Sequence, residues 1–128
     1  MILKILTLDK PNKNNRIYPR SVIDREIKKY TENYINKNQS FIYKDATSSN
    51  FENAIGLIEE LSIIRGNLMA ECKFFRKPEN KELIKGIKNE LIHLCPYGIG
   101  DVTQRYDGVY VVNDDYNFLY CFITHDPA

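Results

Sequence analysis

Apolar positions change their spacing along this chain, and each spacing predicts an element. Residues 1–8 (MILKILTL) form a short run rich in Ile and Leu, which predicts a strand. Residues 9–19 (DKPNKNNRIYP) hold two prolines and three asparagines and predict a loop. Over 20–37, Ile23, Ile27, Tyr30 and Tyr34 fall on one helical stripe. Pro19 before that stretch and the Ser21-x-x-Asp24 pair suit a helix start. Residues 40–44 (SFIYK) predict a short strand, and 45–53 a polar, turn-rich segment.

The second half begins with a β-hairpin. Ile55, Leu57, Leu61 and Ile63 share one face, Arg65-Gly66-Asn67 turns, and Leu68, Ala70, Cys72 and Phe74 line the returning strand. Pro78 is expected to open a second helix with a buried stripe of Leu83, Ile84, Ile87 and Leu91, weakened at Gly86. Residues 95–100 (CPYGIG) read as a flexible stretch. Asp107-Gly108 reads as a turn between Val102 and Val112, and 118–124 as a closing strand. No regular βαβ alternation appears. The expected fold is one α+β domain over residues 1–128, with a mixed or antiparallel sheet flanked by two helices.

Charge and cysteine usage narrow the partners. Eighteen Lys and Arg stand against 17 Asp and Glu, a net charge of +1 that supplies no long-range field for nucleic acid or an anionic membrane. No apolar run approaches the roughly 20 residues of a membrane span, and residues 1–8 are too short and polar for a signal peptide. Cys72, Cys95 and Cys121 are odd in number and too far apart for a metal knuckle, so free thiols in a reducing compartment are expected. Asp114-Asp115 reads as a turn rather than a cation site. No metal or cofactor is expected.

Asn12–Pro19 (NKNNRIYP) carries more than turn chemistry. It resembles the opening signature of the prohead maturation proteases of tailed bacteriophages, an N-x-N-G-R-x-Y-P type segment followed by an amphipathic helix. Asn12, Asn14, Arg16, Tyr18 and Pro19 match, and Asn15 stands in the glycine place. Gly56, Leu61, Gly66, Leu68 and Ala70 fit the family's hairpin pattern. The family's S-x-R-G-x-G nucleophile turn is echoed by residues 95–100, with Gly98 and Gly100 matching, Cys95 near the serine place and Tyr97 replacing the Arg. Residues 116–128 resemble the closing segment, ending on Asp126-Pro127-Ala128. The resemblance implies a small β-barrel flanked by helices, like the herpesvirus assemblins, with Arg16 paired inside the signature segment.

The chemical positions depart from that family. Its general-base histidine follows a strand that aligns with residues 41–47, where Ala46 takes the histidine's place. Serine-type proteolysis needs a nucleophile, a base within reach and an oxyanion hole. Were the chain active, Cys95 with His93 is the pair to consider, since residues two apart on a strand share a face. Pro96 lacks the backbone N–H that an oxyanion hole would use. His125 reads as solvated, and Ser48 and Ser49 are further candidate nucleophiles. Tyr30, Tyr34, Tyr106, Tyr110 and Tyr116 are candidate interface residues.

The expected function is therefore a non-enzymatic virion protein, a capsid auxiliary, decoration or head-associated subunit on a degenerate prohead protease fold. Its expected partners are the major capsid protein or other virion proteins, or a second copy of itself, and not nucleic acid or membrane. It is expected in the capsid, and in host cytoplasm during assembly. Two alternatives stand beside it: an active maturation protease, and a small phage-encoded module that binds a host protein.

Overall fold

The structure is a computed structural model that describes residues 1–125. The Asp126-Pro127-Ala128 echo lies outside the described residues. In chain order the elements are β1 (Ile2–Thr7), β2 (Arg16–Ile17), α1 (Arg20–Asn33), β3 (Phe41–Tyr43), β4 (Ala54–Ile64), β5 (Asn67–Phe74), α2 (Lys81–Lys88), β6 (His93–Ile99), β7 (Val102–Gln104), β8 (Tyr110–Val112) and β9 (Asn117–Thr124). Single 3-10 turns occupy Ile35–Lys37, Phe51–Asn53 and Pro78–Asn80.

Six strands form one sheet in the order β1-β5-β4-β3-β9-β6. All neighbours are antiparallel except β3 and β9, which run parallel. The two edge strands, β1 and β6, approach each other, so the sheet is curled. A second sheet of three short strands, β2-β8-β7, ties the N-terminal loop to the β7–β8 hairpin. This is the expected α+β class, with a mixed sheet and two helices.

Local chemistry explains the best-formed elements. Arg65 and Gly66, both at positive φ (52° and 77°), make the two-residue turn between β4 and β5. That conformation matches the right-handed twist of a hairpin. Helix α1 follows Pro19, but Ser21 does not cap it. Asp9, itself at positive φ, accepts the Arg20 backbone N–H at 2.9 Å. Val22, Ile23 and Tyr30 of α1 join a core built from Leu6, Ile42, Ile58, Leu61, Leu68, Phe118, Cys121 and Ile123.

Three expectations need correction. Residues 9–19 are not loop throughout, because Arg16–Ile17 pairs in parallel with β8. Residues 95–100 are not a flexible stretch, because 95–99 belong to β6 and pair with β9. The proline is tolerated because β6 is an edge strand, where one N–H needs no ladder partner. The second helix stops at Lys88, and of its expected stripe only Ile87 is fully buried, while Leu91 is 66% exposed. Glu90 turns back at a positive φ of 60°, and Ile92 folds onto Gly86, where a Cβ would come within 2.7 Å of the Ile92 side chain.

Candidate functional site

Alternation along β3, β9 and β6 decides what the sheet's outer face carries. One register row, Ile42–Cys121–Pro96, is on the core side. The next, Tyr43–Phe122–Cys95, is on the outer side, where neighbouring rings leave Tyr43 itself only 8% exposed and Phe122 and Cys95 half-buried. Beyond it His93 pairs with Thr124 at one end, and Tyr97 with Tyr120 at the other. The result is a ladder of rings across three strands. Phe51 meets Phe41 edge-on at 5.3 Å, and Phe41 and Tyr43 lie 6.4 Å apart on one strand. Tyr43 meets Tyr120 edge-on at 5.1 Å, and Tyr120 stacks on Tyr97 at 4.7 Å with the planes only 3° apart. Each such pair contributes about 0.5–1.5 kcal/mol beyond its area. Phe51 at one end (66% exposed) and Tyr97 at the other (37%) open the ladder to solvent.

The candidate catalytic residues border this face. Cys95 is half-buried, and its thiol makes only a weak contact, at 3.9 Å, with the Pro96 carbonyl. Burial pushes the Cys95 thiol up from its ordinary value of 9.0, which keeps it protonated near neutrality. His93 points out of the same face. Among the described residues no histidine hydrogen-bonds Cys95. His125 is exposed, and its Nδ1 lies 3.3 Å from the Leu91 carbonyl, past the end of the sheet.

Ala46 lies on the exposed loop after β3, and its carbonyl accepts a hydrogen bond from the Tyr120 hydroxyl at 3.4 Å. That loop is held by its own turns: Asp45 accepts the Thr47 N–H and hydroxyl, and Ser48 Oγ accepts the Asn50 N–H at 3.3 Å. Ser48 is thus engaged as an acceptor, and Ser49 is exposed with no base bonded to it among the described residues.

The signature residues have structural work. Asn12 Oδ1 accepts the N–H groups of Asn14 (2.9 Å) and Arg16 (3.0 Å), which shapes the turn into β2. Asn15 adopts φ 61°, the left-handed region that glycine enters most freely, which accounts for an Asn in the glycine place. Its side chain donates to the Gly108 carbonyl at 3.1 Å and its own carbonyl accepts from Tyr110 N–H. Arg16 departs from expectation: its side chain is exposed and forms no ion pair among the described residues, so only its backbone serves the turn.

Gly98 and Gly100 make room for Tyr116. A Cβ on Gly98 would lie well inside contact distance of the Tyr116 ring, and one on Gly100 would lie 2.7 Å from the Tyr116 Cα. Tyr116 in turn meets Tyr18 edge-on at 5.6 Å. The two signatures, about 80 residues apart along the chain, therefore meet through one ring, with Tyr18 on one side of Tyr116 and Gly98 and Gly100 on the other. Asp115 accepts the Asp101 N–H through both oxygens, so this carboxylate acts as a turn acceptor.

The tyrosine expectations divide. Tyr30 (1% exposed) and Tyr116 (7%) are core residues, not interface residues. Tyr30 packs on Phe118 at 4.6 Å because α1 lies over β9. Tyr34 is half-buried beside Tyr30, while Tyr106 and Tyr110 stand exposed on the β7–β8 hairpin. Sequence reasoning missed the outer aromatic ladder. Its signal was present in the alternation of Phe41 with Tyr43 and of Tyr120 with Phe122, but the order of the strands was not.

No protein-family model matches this chain, and no curated protein matches it. A solved structure does. The chain is similar to the bacteriophage T4 capsid assembly protease, gp21, with a TM-score of 0.83 at 16% identity, over 95% of this chain and 80% of that one. The likeness is one of fold, and it matches the prohead protease-like architecture expected from the sequence.

Proposed function

We propose that this chain is a non-enzymatic capsid-associated protein of a tailed phage, built on the fold of a capsid assembly protease. The observation that carries this reading is the outer row Tyr43–Phe122–Cys95. Where the family resemblance puts a nucleophile, a protonated thiol stands beside Phe122, and the histidine place holds Ala46. The surrounding rings suit binding rather than hydrolysis, since aromatic side chains supply contact area at low entropic cost. The major capsid protein or another virion protein is the partner this reading assigns.

The test is quantitative mass spectrometry of purified virions. A fixed ratio of this chain to the major capsid protein supports the reading. Its absence from virions that otherwise contain the full set of head proteins refutes it.

A second reading, an active maturation protease, draws on one observation: His93 and Cys95 point out of the same face of β6. Head proteins incubated with the purified chain distinguish the two. Cleavage that stops with Cys95→Ala and with His93→Ala establishes the protease and overturns the binding role. Intact head proteins over the same interval support the binding role.

A further inference from the structure

The outer side of α2 presents a different surface, far richer in charge. Arg76, Lys77, Lys81, Lys85 and Lys88 rim a groove of about 530 Å³ whose floor is Pro78 and Ile84. Lys81, Ile84, Lys85 and Lys88 follow helical spacing, so one stripe of α2 carries three cations around one aliphatic side chain. All five cations are exposed. The ion pairs formed among the described residues engage other groups: the N-terminus, Arg20, Arg25, Lys29 and Arg105.

Lys85 and Lys88 suit the last turn of α2, but Lys81 does not suit its place. Lys81 sits in the first turn of α2, where the helix dipole opposes a cation, and it repels Lys85 four residues on. Glu79 and Glu82 are near in sequence but do not pair with the rim. In a chain whose net charge is only +1, five of the 18 basic residues are gathered within 76–88 around an apolar floor.

We propose that this groove docks an acidic peptide segment that carries at least one aliphatic side chain. Carboxylates of the peptide meet the Lys81, Lys85 and Lys88 ammonium groups, and the aliphatic side chain rests on Ile84 and Pro78. The groove fits a peptide better than the other polyanions. Among the described residues no aromatic ring lines the groove, so it offers a base no platform on which to stack. Ile84 is half-buried at the floor of a hollow, so it is not a wedge for a lipid bilayer.

Fluorescence anisotropy on the full chain tests this. The probe is a fluorescein-labelled 12-residue peptide of Glu and Asp with two leucines. Binding is expected, and Lys81→Glu/Lys85→Glu is expected to weaken it by about tenfold or more, because each reversal turns an attraction into a repulsion. Replacing both leucines with serine is expected to weaken it about threefold or more, the contribution of the apolar floor. The charge-reversed control Lys28→Glu/Lys37→Glu, on and just after α1, is expected to leave binding within about twofold. Circular dichroism confirms that each variant is folded, and the milder Lys81→Gln/Lys85→Gln replaces the reversal if it is not.

The proposal is overturned if the wild-type chain does not bind the peptide, or if the α2 reversal has no more effect than the control. It is equally overturned if duplex DNA or phosphatidylserine vesicles bind at least as tightly as the peptide.

Discussion

Replacing Gly98 with alanine isolates the contact that joins the two signature segments. The new methyl group would sit well within van der Waals distance of the Tyr116 ring, and β6 is held by its ladder to β9 on the other side. The ring must therefore move. Overpacking of this kind costs about 1–3 kcal/mol. Displacing the ring also weakens its edge-on contact with Tyr18, which contributes about 0.5–1.5 kcal/mol. Together they predict a loss of about 3 kcal/mol, or roughly 10 °C in Tm for a chain of this size. Urea denaturation and calorimetry measure it. The companion variant Tyr116→Leu removes the atoms that the methyl group meets, so Gly98→Ala is expected to cost little in that background, a coupling of about 2–3 kcal/mol. A Gly98→Ala chain that melts within about 1 °C of wild type refutes the reasoning. Full additivity with Tyr116→Leu refutes it too. Either result would return the glycine to a role in chemistry rather than packing.

Four further predictions concern Glu26, Tyr30 and the cysteines. Glu26, 1% exposed, accepts hydrogen bonds from Phe118 N–H and Lys29 at 2.8 Å each and from Arg25 at 3.1 Å. Glu26→Ala is expected to cost about 2 kcal/mol in urea titrations, since it leaves the buried Phe118 N–H without its acceptor, while Arg25 and Lys29 keep access to solvent. Burial alone would raise the Glu26 pKa, but the bonds from Lys29, Phe118 and Arg25 outweigh it and hold the carboxyl below 4.5. The unfolded chain then binds the extra proton first, so this stabilisation is complete above about pH 4.5 and is lost as pH falls through the folded value. Glu26→Gln is expected to flatten that part of the stability–pH curve, and an unchanged curve refutes the assignment. Tyr30 buries a hydroxyl that has no partner among the described residues, so Tyr30→Phe is expected to raise stability by about 1 kcal/mol in the same assay, and a loss of that size counts against it. With a thiol reagent, native protein is expected to show one slow thiol, Cys95, whose rate climbs with pH, and denatured protein three. Rapid labelling of Cys95 at neutral pH would instead favour the protease reading.

Much of this fold was legible because its signals are local. The β4–β5 hairpin followed from alternation around Arg65-Gly66, and α1 from the stripe of Ile23, Ile27 and Tyr30. What was not legible depended on distant partners. Cys95-Pro96-Tyr97-Gly98 reads as irregular because proline and glycine weaken strands in general. Here the sheet's edge excuses the proline and the Tyr116 ring explains the glycine. Tyr30 and Tyr116 read as candidate interface residues because a phenol suits an interface, yet both lie in the core, Tyr30 between α1 and β9 and Tyr116 against Tyr18 and Gly98. The same limit hid the candidate site. Tyr43, Cys95 and Phe122 come from three separate stretches, and only the insertion of β9 beside β3 sets them in one row.

That insertion also governs how the molecule assembles in time. β9 lies between β3 and β6, and its first residues are anchored to α1 by a hydrogen bond between positions 92 residues apart. Until β9 arrives, β6 has no neighbour in the ladder and the aromatic row does not exist. The β3–β9 pairing joins Ile42 to Cys121, about 79 positions apart, and such non-local pairing is what slows folding. The β4–β5 hairpin is free to form early. The candidate site thus depends on that long-range pairing, and the Tyr43–Phe122–Cys95 row exists only in molecules with β9 in place.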